Sequence, residues 1–446
     1  LECFRRLDIT DMADQSDLES RPRLLVGAYA FSPVLGSEFA QGWNYVQAMA
    51  ARYQLTVLVG SSDGRMGDFV HLNDPAVRRL ASAVEIIAIQ PDVLCRIIKW
   101  LDTRLGLSWL FVFGLRRWHW LALKRARCFH AERPFDAVHQ LGPVGFRNPG
   151  YLFRLGVPSY WGPIGGLQFV RIGMAWRSNK KYGLICLVRN TSTWLAARSR
   201  MLGKAVRGFD RLSFATATNA ANFNELFQVN GPVLSDQATI APSAGHVVQQ
   251  RAGQPLQVVW CGSMDGRKNP SLLLDIAKLL LVRGAPVRIT MIGSGPLLAL
   301  IRRRVDAEKI DNVVITGQIA REQVLGHFRT ADVLGFTSLS EANTSTFFEA
   351  LETGCVPCAL DLDGFSNNIT PDIGYVFNVD QGWDAVAKEY ALVLEKLALD
   401  PDLLAEHVAA INRRRHEHSW ANLSDRHAAI IDSMLGRNVD QAAPTA

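Results

Sequence analysis

The sequence predicts an α/β protein of two Rossmann-like domains facing across a cleft, each built on a parallel sheet. Three observations predict it. Short apolar runs alternate with amphipathic helical patterns, the signature of parallel sheets covered on both faces. The alternation occurs twice, with a Pro/Gly/Ser-rich stretch near 231–254 between the two series. The chain has 446 residues, 48% of them hydrophobic, which is enough for two buried cores at about 100–200 residues per domain.

In the first series, 23–30 (RLLVGAYA) reads as a strand, 31–42 as a loop and Trp43–Arg52 as a helix. Strands follow at 55–62, 84–90, 135–142, 156–166 and 210–217. The second series opens with a strand at 256–263 and a helix over Pro270–Val282, then strands at 287–295, 312–319, 331–338 and 355–362. Each run is rich in Val, Ile and Leu and ends in Gly, Pro, Ser or Asn, the residues that turn a chain. The implied division is an acidic, disordered leader over 1–22, a first domain over 23–235, a second over 236–436 and a tail over 437–446. The final helix of the second domain is available to pack back on the first. Ligands of such open sheets sit at the carboxyl ends of the strands, so the loops there should carry the chemistry.

Composition narrows the classes. Seven cysteines are too few, and odd in number, for a disulfide framework, which points to a reducing compartment. The most apolar uncharged run, Leu105–Leu115, has eleven residues. A membrane-spanning helix needs about 20. The leader is too acidic for a signal peptide. A cytoplasmic location follows.

Charge is uneven. Residues 23–235 carry 26 Lys+Arg against 11 Asp+Glu, whereas residues 236–446 carry 19 against 25. The first domain is therefore suited to an anionic partner and the second is not. Arg96–Arg127 holds eight cations against Asp102, interleaved with Trp100, Trp109, Phe111, Phe113, Trp118 and Trp120. Arg171–Arg211 holds ten against Asp210, with Trp176, Tyr182, Trp194 and Phe209. Cations beside Trp and Leu suit a helix lying on an anionic membrane surface. The plainer reading is a helix with its aromatics in the core. Nucleic acid is set aside, because no RNP, KH, zinc or helix-turn-helix signature accompanies the charge.

Several strand ends carry candidate chemistry. Glu341-Ala-Asn-Thr-Ser-Thr-Phe-Phe-Glu349 puts one carboxylate after a strand and a second two helical turns on. Thr344 and Ser345 crowd the helix start, where free backbone N–H groups attract anions. Gly262-Ser263-Met264-Asp265-Gly266-Arg267-Lys268-Asn269 ends another strand. Its glycine lets the backbone turn near a ligand, and Arg267 and Lys268 suit a phosphate by fork and point charge. It is not a P-loop, lacking the GK[ST] spacing. Gly293-Ser-Gly295-Pro296, Gly36-Ser37-Glu38 and His139 close further strands. Each has a plain alternative: a capped helix, a solvated turn, or a core histidine. Three other patterns lead nowhere. Cys355-Val-Pro-Cys358 opens a strand rather than a helix, Asp361-Leu-Asp363 lacks partner ligands, and His416-Glu-His418 lacks HExxH spacing.

Taken together and in order, these residues resemble glycosyltransferase family 4, of GT-B fold. The block from Glu341 to Glu349 is similar to that family's E-x7-E motif, Gly262 to Asn269 to its phosphate loop, and Gly293 to Pro296 to its G-x-G-P turn. Gly36-Ser-Glu-Phe-Ala-Gln-Gly-Trp43, Val138-His139 and Trp161-Gly-Pro-Ile-Gly-Gly166 look like a subgroup's N-terminal motifs. The resemblance spans about residues 23–435.

It implies a retaining transfer of a sugar from a UDP- or GDP-linked donor to a glycan acceptor. The basic, aromatic first domain and the membrane location it suits point to a lipid-linked acceptor, in surface polysaccharide or glycolipid assembly, though the charge serves a soluble phosphorylated acceptor equally. The C-terminal domain would hold the nucleotide sugar and the N-terminal domain the acceptor, with the protein peripheral to the membrane. Glu349 would hold the ribose, Glu341 the sugar hydroxyls, and Lys268 with Arg267 the diphosphate. Gly36 and Ser37 would face the diphosphate from the N-terminal side, and His139 the sugar. No metal or other cofactor would be required, because paired cations offset the leaving charge. Ser263 stands where the family commonly has Arg, and Ala342-Asn343-Thr344 replaces its Gly-Phe-Gly. Two other classes stay open: a non-catalytic GT-B scaffold that binds nucleotide or lipid, and a sugar-nucleotide epimerase of the same fold.

Overall fold

Apolar runs become strands wherever a turn residue ends them. In the computed structural model, which describes residues 20–36, 38–105, 110–239 and 253–437, they form two six-stranded parallel sheets. The first comprises β1 (Arg23–Gly27), β2 (Gln54–Val59), β3 (Glu85–Ala88), β4 (Ala137–Gln140), β5 (Ser159–Ile164) and β6 (Arg211–Phe214), in the order β3-β2-β1-β4-β5-β6. The second comprises β7 (Leu256–Cys261), β8 (Val287–Ile292), β9 (Val313–Gly317), β10 (Val333–Gly335), β11 (Val356–Leu360) and β12 (Tyr375–Phe377), in the order β12-β11-β10-β7-β8-β9. The two orders are the same when counted within each unit. Winding reverses between β1 and β4 and between β7 and β10, and crevices for ligands open there.

Helices cover both faces. In the first unit they are α1 (Glu38–Met49), α2 (Pro75–Leu80), α3 (Val93–Leu105), α4 (Phe111–Glu132), α5 (Ile172–Ser178), α6 (Lys180–Ala197), α7 (Arg200–Gly208) and α8 (Ala217–Phe227). In the second they are α9 (Pro270–Val282), α10 (Leu298–Glu308), α11 (Arg321–Thr330), α12 (Ser345–Thr353), α13 (Gly364–Asn368), α14 (Trp383–Leu399) and α15 (Pro401–Arg414), and α16 (Trp420–Met434) follows.

The units exchange helices. Met174, Ala175 and Cys186 of α5 and α6 are buried in the core of the second sheet. Trp420, Leu423, Ala428 and Ile431 of α16 are buried against β1, β2 and α1 of the first. Arg171 pairs with Asp380 at 2.8 Å, and Arg177 pairs with Asp384, across the same boundary. The carboxyl ends of the two sheets face each other: Ser178 Oγ donates to the Gly266 carbonyl at 2.9 Å, and Asn343 Nδ2 donates to the Ala215 carbonyl at 3.1 Å.

Two expectations need correction. α1 starts at Glu38, not Trp43, because Gly42 belongs to the helix. A Cβ there would stand 2.3 Å from the Ala30 carbonyl oxygen, so this glycine allows close packing and does not mark a loop. β12 escaped the sequence reading because three residues are too few to show a pattern. The leader is outside the described residues as far as Glu19, and so are Ser37, Trp109 and the tail from 438.

The aromatics divide. Trp118 and Phe209 are core residues, as the plainer reading has it, whereas Trp100, Phe113, Trp120, Trp176 and Trp194 are exposed. Among the described residues no helix is long and apolar enough to cross a membrane.

Candidate active site

The site forms where the second sheet reverses. The turn from β7 into α9 is held by Asp265, whose Oδ1 accepts the backbone N–H groups of Arg267 and Lys268, both at 2.9 Å. The loop after β10 is stitched to it. Thr337 Oγ1 donates to the Lys268 carbonyl at 2.8 Å and accepts from Trp260 Nε1 at 3.0 Å. The Leu339 N–H donates to the Arg267 carbonyl at 2.8 Å. This stitching brings three charges together. Lys268 Nζ lies 2.6 Å from Glu341 Oε1, and Arg267 Nη1 bonds the same oxygen. The Lys268 and Glu341 side chains are only 10% and 12% exposed, so solvent screens the pair little. Lys268 and Arg267 share this one carboxylate oxygen, so an anion entering the crevice meets two cations side by side.

The Gly-Ser-Gly-Pro turn completes the floor. Gly293 and Gly295 have φ of +134° and +158°, and a Cβ on Gly293 would lie 2.0 Å from the Gly262 carbonyl oxygen. The Met264 N–H donates to the Ser294 carbonyl at 2.9 Å. Gly262, Gly293 and Gly295 are thus brought together as backbone surfaces.

Glu349 lies on α12 and pairs with Arg321 of α11 at 2.6 Å. Burial raises its pKa, and Arg321 opposes that. Burial, with the charge of Glu349, also pushes the Cys261 thiol up to about 11, which sets Glu349 near the carboxyl end of β7. Thr344 stands at the N-cap of α12 without a side-chain capping bond, and Ser345 is exposed beside it. From the other unit, Gly36 is exposed with open space where a Cβ would be. Ser37 lies outside the described residues.

The structure does not bring His139 to this cluster. It is fully buried; Nδ1 accepts from Tyr45 Oη at 2.5 Å and Nε2 donates to the Gly162 carbonyl at 2.8 Å. Its ring stacks on Tyr160 at 4.2 Å, and burial pushes its pKa down to about 3. With both nitrogens engaged and the ring buried, His139 sits here as a core residue, away from the charged cluster.

Sequence reasoning missed the groups that support Glu341. Asp363 Oδ2 accepts the Glu341 N–H at 3.3 Å and Gln168 Nε2 at 3.4 Å, joining the two units. Asn343 Nδ2 donates to Asp236 Oδ1 at 2.6 Å, and Asn343 Oδ1 accepts from Asn368 Nδ2 at 2.7 Å. Burial lifts Asp236 and Asp363 each to about 6, and it also raises Glu38. The only available signal was Asp363 in Asp-Leu-Asp-Gly, which reads as a poor metal pair. Nothing in the sequence links Asp236 to Asn343.

Among the described residues no group of three His, Cys, Asp or Glu could hold a metal ion. Cys355 and Cys358 are buried free thiols with raised pKa values, unlike a redox pair.

Residues 246–406, which include Arg267, Lys268, Glu341, Glu349 and the three glycines, match the family described as Glycosyl transferases group 1. No curated protein sequence matches the chain. Among solved structures, the apo lipopolysaccharide outer core galactosyltransferase WaaB is similar at 12% identity and TM-score 0.63, over 92% of this chain and 99% of that one. The Anabaena HepE protein in complex with UDP and glucose is similar at 12% identity and TM-score 0.54, over 93% and 100%. The chain spans 47% of the pneumococcal O-GlcNAc transferase GtfA, over 53% of its own length, at 15% identity and TM-score 0.44. The full-length likenesses establish the fold as GT-B, and the match to the group 1 family falls on its second unit.

Proposed function

We propose that this chain is a retaining glycosyltransferase of family 4 type. It moves a sugar from a UDP- or GDP-linked donor to a lipid-linked glycan acceptor, at the cytoplasmic face of a membrane. The observation that carries the reading is Glu341 held between Lys268 and Arg267, in the crevice where β7 and β10 diverge. The group 1 match over this segment supports sugar transfer, and the UDP and glucose complex of HepE supports a nucleotide-linked donor.

In this reading the donor diphosphate takes over Lys268 and Arg267, whose charges offset the negative charge that grows as the sugar leaves. Glu341, released from the two cations, turns its carboxylate to the sugar hydroxyls. Glu349 takes the ribose, and Thr344 and Ser345 lie at a helix start open to an anion. The backbone at Gly262, Gly293 and Gly295 forms the floor, and Gly36 with Ser37 approaches the diphosphate from the opposite unit. The acceptor lies on the basic first unit. The phosphate oxygen released on the same face assists removal of the acceptor proton, so configuration is retained.

A panel of radiolabelled nucleotide sugars with a membrane extract tests the reading. Label transferred from one donor into the organic phase is the expected result. Binding of a nucleotide sugar without transfer or hydrolysis would leave a scaffold, and epimerised donor would indicate an epimerase.

A further inference from the structure

The first unit has a second cavity, outside the donor crevice, of about 510 Å³ between α4, α7 and the turn at 150–154. Arg116, Arg154, Arg200 and Lys204 line it, with Trp120 and Phe153 as aromatic walls. Among the described residues none of these four cations pairs with a carboxylate, whereas Arg117 beside them pairs with Asp92 at 2.6 Å. Arg116 Nε is buried with no hydrogen-bond partner among the described residues. Arg154 lies over Tyr151 and Phe153, at 5.1 and 5.5 Å from the ring centres. Four like charges around one cavity repel each other, and among the described residues no carboxylate offsets them. The missing countercharge is an anion, and arginine forks beside a lysine suit a phosphate with several free oxygens.

The flanks indicate which phosphate. α3 and α4 expose Leu94, Ile97, Trp100 and Phe113, on the same helix pair that supplies Arg116 and Trp120. Next in the chain before α7, α6 exposes Leu184, Leu187, Val188 and Leu195, and the chain then enters α7 at Arg200. A soluble phosphate ester would leave both apolar faces in water. A membrane surface covers them while its headgroups meet the cations.

We propose that this cavity binds the terminal phosphate of a membrane amphiphile, with the exposed apolar residues of α3, α4 and α6 entering the interface. None of its lining residues belongs to the donor loops, so the proposal stands whether or not the chain transfers a sugar.

The test is co-sedimentation of the full chain with phosphatidylcholine vesicles carrying phosphatidate, or phosphatidylglycerol at matched surface charge. Arg200 and Lys204 are exposed, so Arg200→Ala with Lys204→Ala should fold. Arg78→Ala with Arg79→Ala, on exposed positions of α2, removes the same charge from a helix that supplies nothing to the cavity. Phosphatidate should be preferred over phosphatidylglycerol. Partition to phosphatidate should fall on the order of tenfold in the 200/204 variant and by less than about twofold in the 78/79 variant. Equal losses in both variants, or no preference for phosphatidate, would overturn the proposal. So would inorganic pyrophosphate binding, by calorimetry, that needs Arg200 and Lys204 while the vesicles show no preference. That last result would assign the cavity to a soluble phosphate.

Discussion

Lys268 Nζ stands 2.6 Å from Glu341 Oε1, and Arg267 bonds the same oxygen. An anion that enters the crevice must therefore compete with Glu341 for both cations. The proposed reaction uses this competition, because the carboxylate is freed for the sugar only when the diphosphate has arrived.

Glu341→Gln should divide binding from turnover. Without the carboxylate the two cations are unopposed, so UDP or GDP should bind about fivefold more tightly or better. Transfer should fall about 100-fold, because the contact to the sugar is lost. Calorimetry and initial rates on the same preparation check both. Weaker nucleotide binding in this variant would contradict the competition.

Glu349→Gln should act on the donor alone. Arg321, its partner, is 66% exposed, so the ion pair itself adds about 1 kcal/mol at most. A contact to the ribose is made equally in the ground and transition states. KM for the donor should rise about tenfold while kcat stays within about twofold. A fall in kcat at constant KM would assign Glu349 to the chemistry.

Activity should survive EDTA, because Lys268 and Arg267 supply the charge on the leaving side. Rates measured before and after chelation, with Mg²⁺ or Mn²⁺ added back, decide it. Strict dependence on added metal would return attention to Asp361 and Asp363.

Asp236 makes stability depend on pH. Burial raises its folded pKa from 3.8 to about 6, so the folded state holds the proton more tightly than the unfolded chain does. The stability it contributes is complete below about pH 4 and is lost as pH rises through about 6. Asp236→Asn removes the charge and keeps the acceptor for Asn343. It should raise stability at pH 7.5 by on the order of 2 kcal/mol and leave it unchanged near pH 4. Glu38 and Glu341 share this environment, so the variant should also lower the pKa of Glu38. Thermal melts at the two pH values test the sign, and a gain at pH 4 alone would contradict it.

The sequence displays what repeats or turns. The strands from β1 to β11 show as apolar runs with turn residues behind them, and Pro270 at the first position of α9 fixes where that helix starts. Gly293 and Gly295 are legible because a positive φ demands glycine. Lys268 and Glu341 are legible as strand-end residues, but not as an ion pair, because their meeting depends on β7 and β10 being neighbours in the sheet. His139 reads as a strand-end histidine. Its fate was decided by Tyr45 and Tyr160, which reach it from distant parts of the chain. Asp236 gave no signal and Asp363 only that of a poor metal pair, because a buried carboxylate differs from a solvated one only in what folds over it.

Turnover by Lys268→Ala tests the account most directly. With the donor that the wild-type protein uses, kcat should fall on the order of 10²–10³ while the thermal transition shows the variant folded. A folded variant that turns over within about twofold of wild type would contradict the assignment of this cluster to the leaving group.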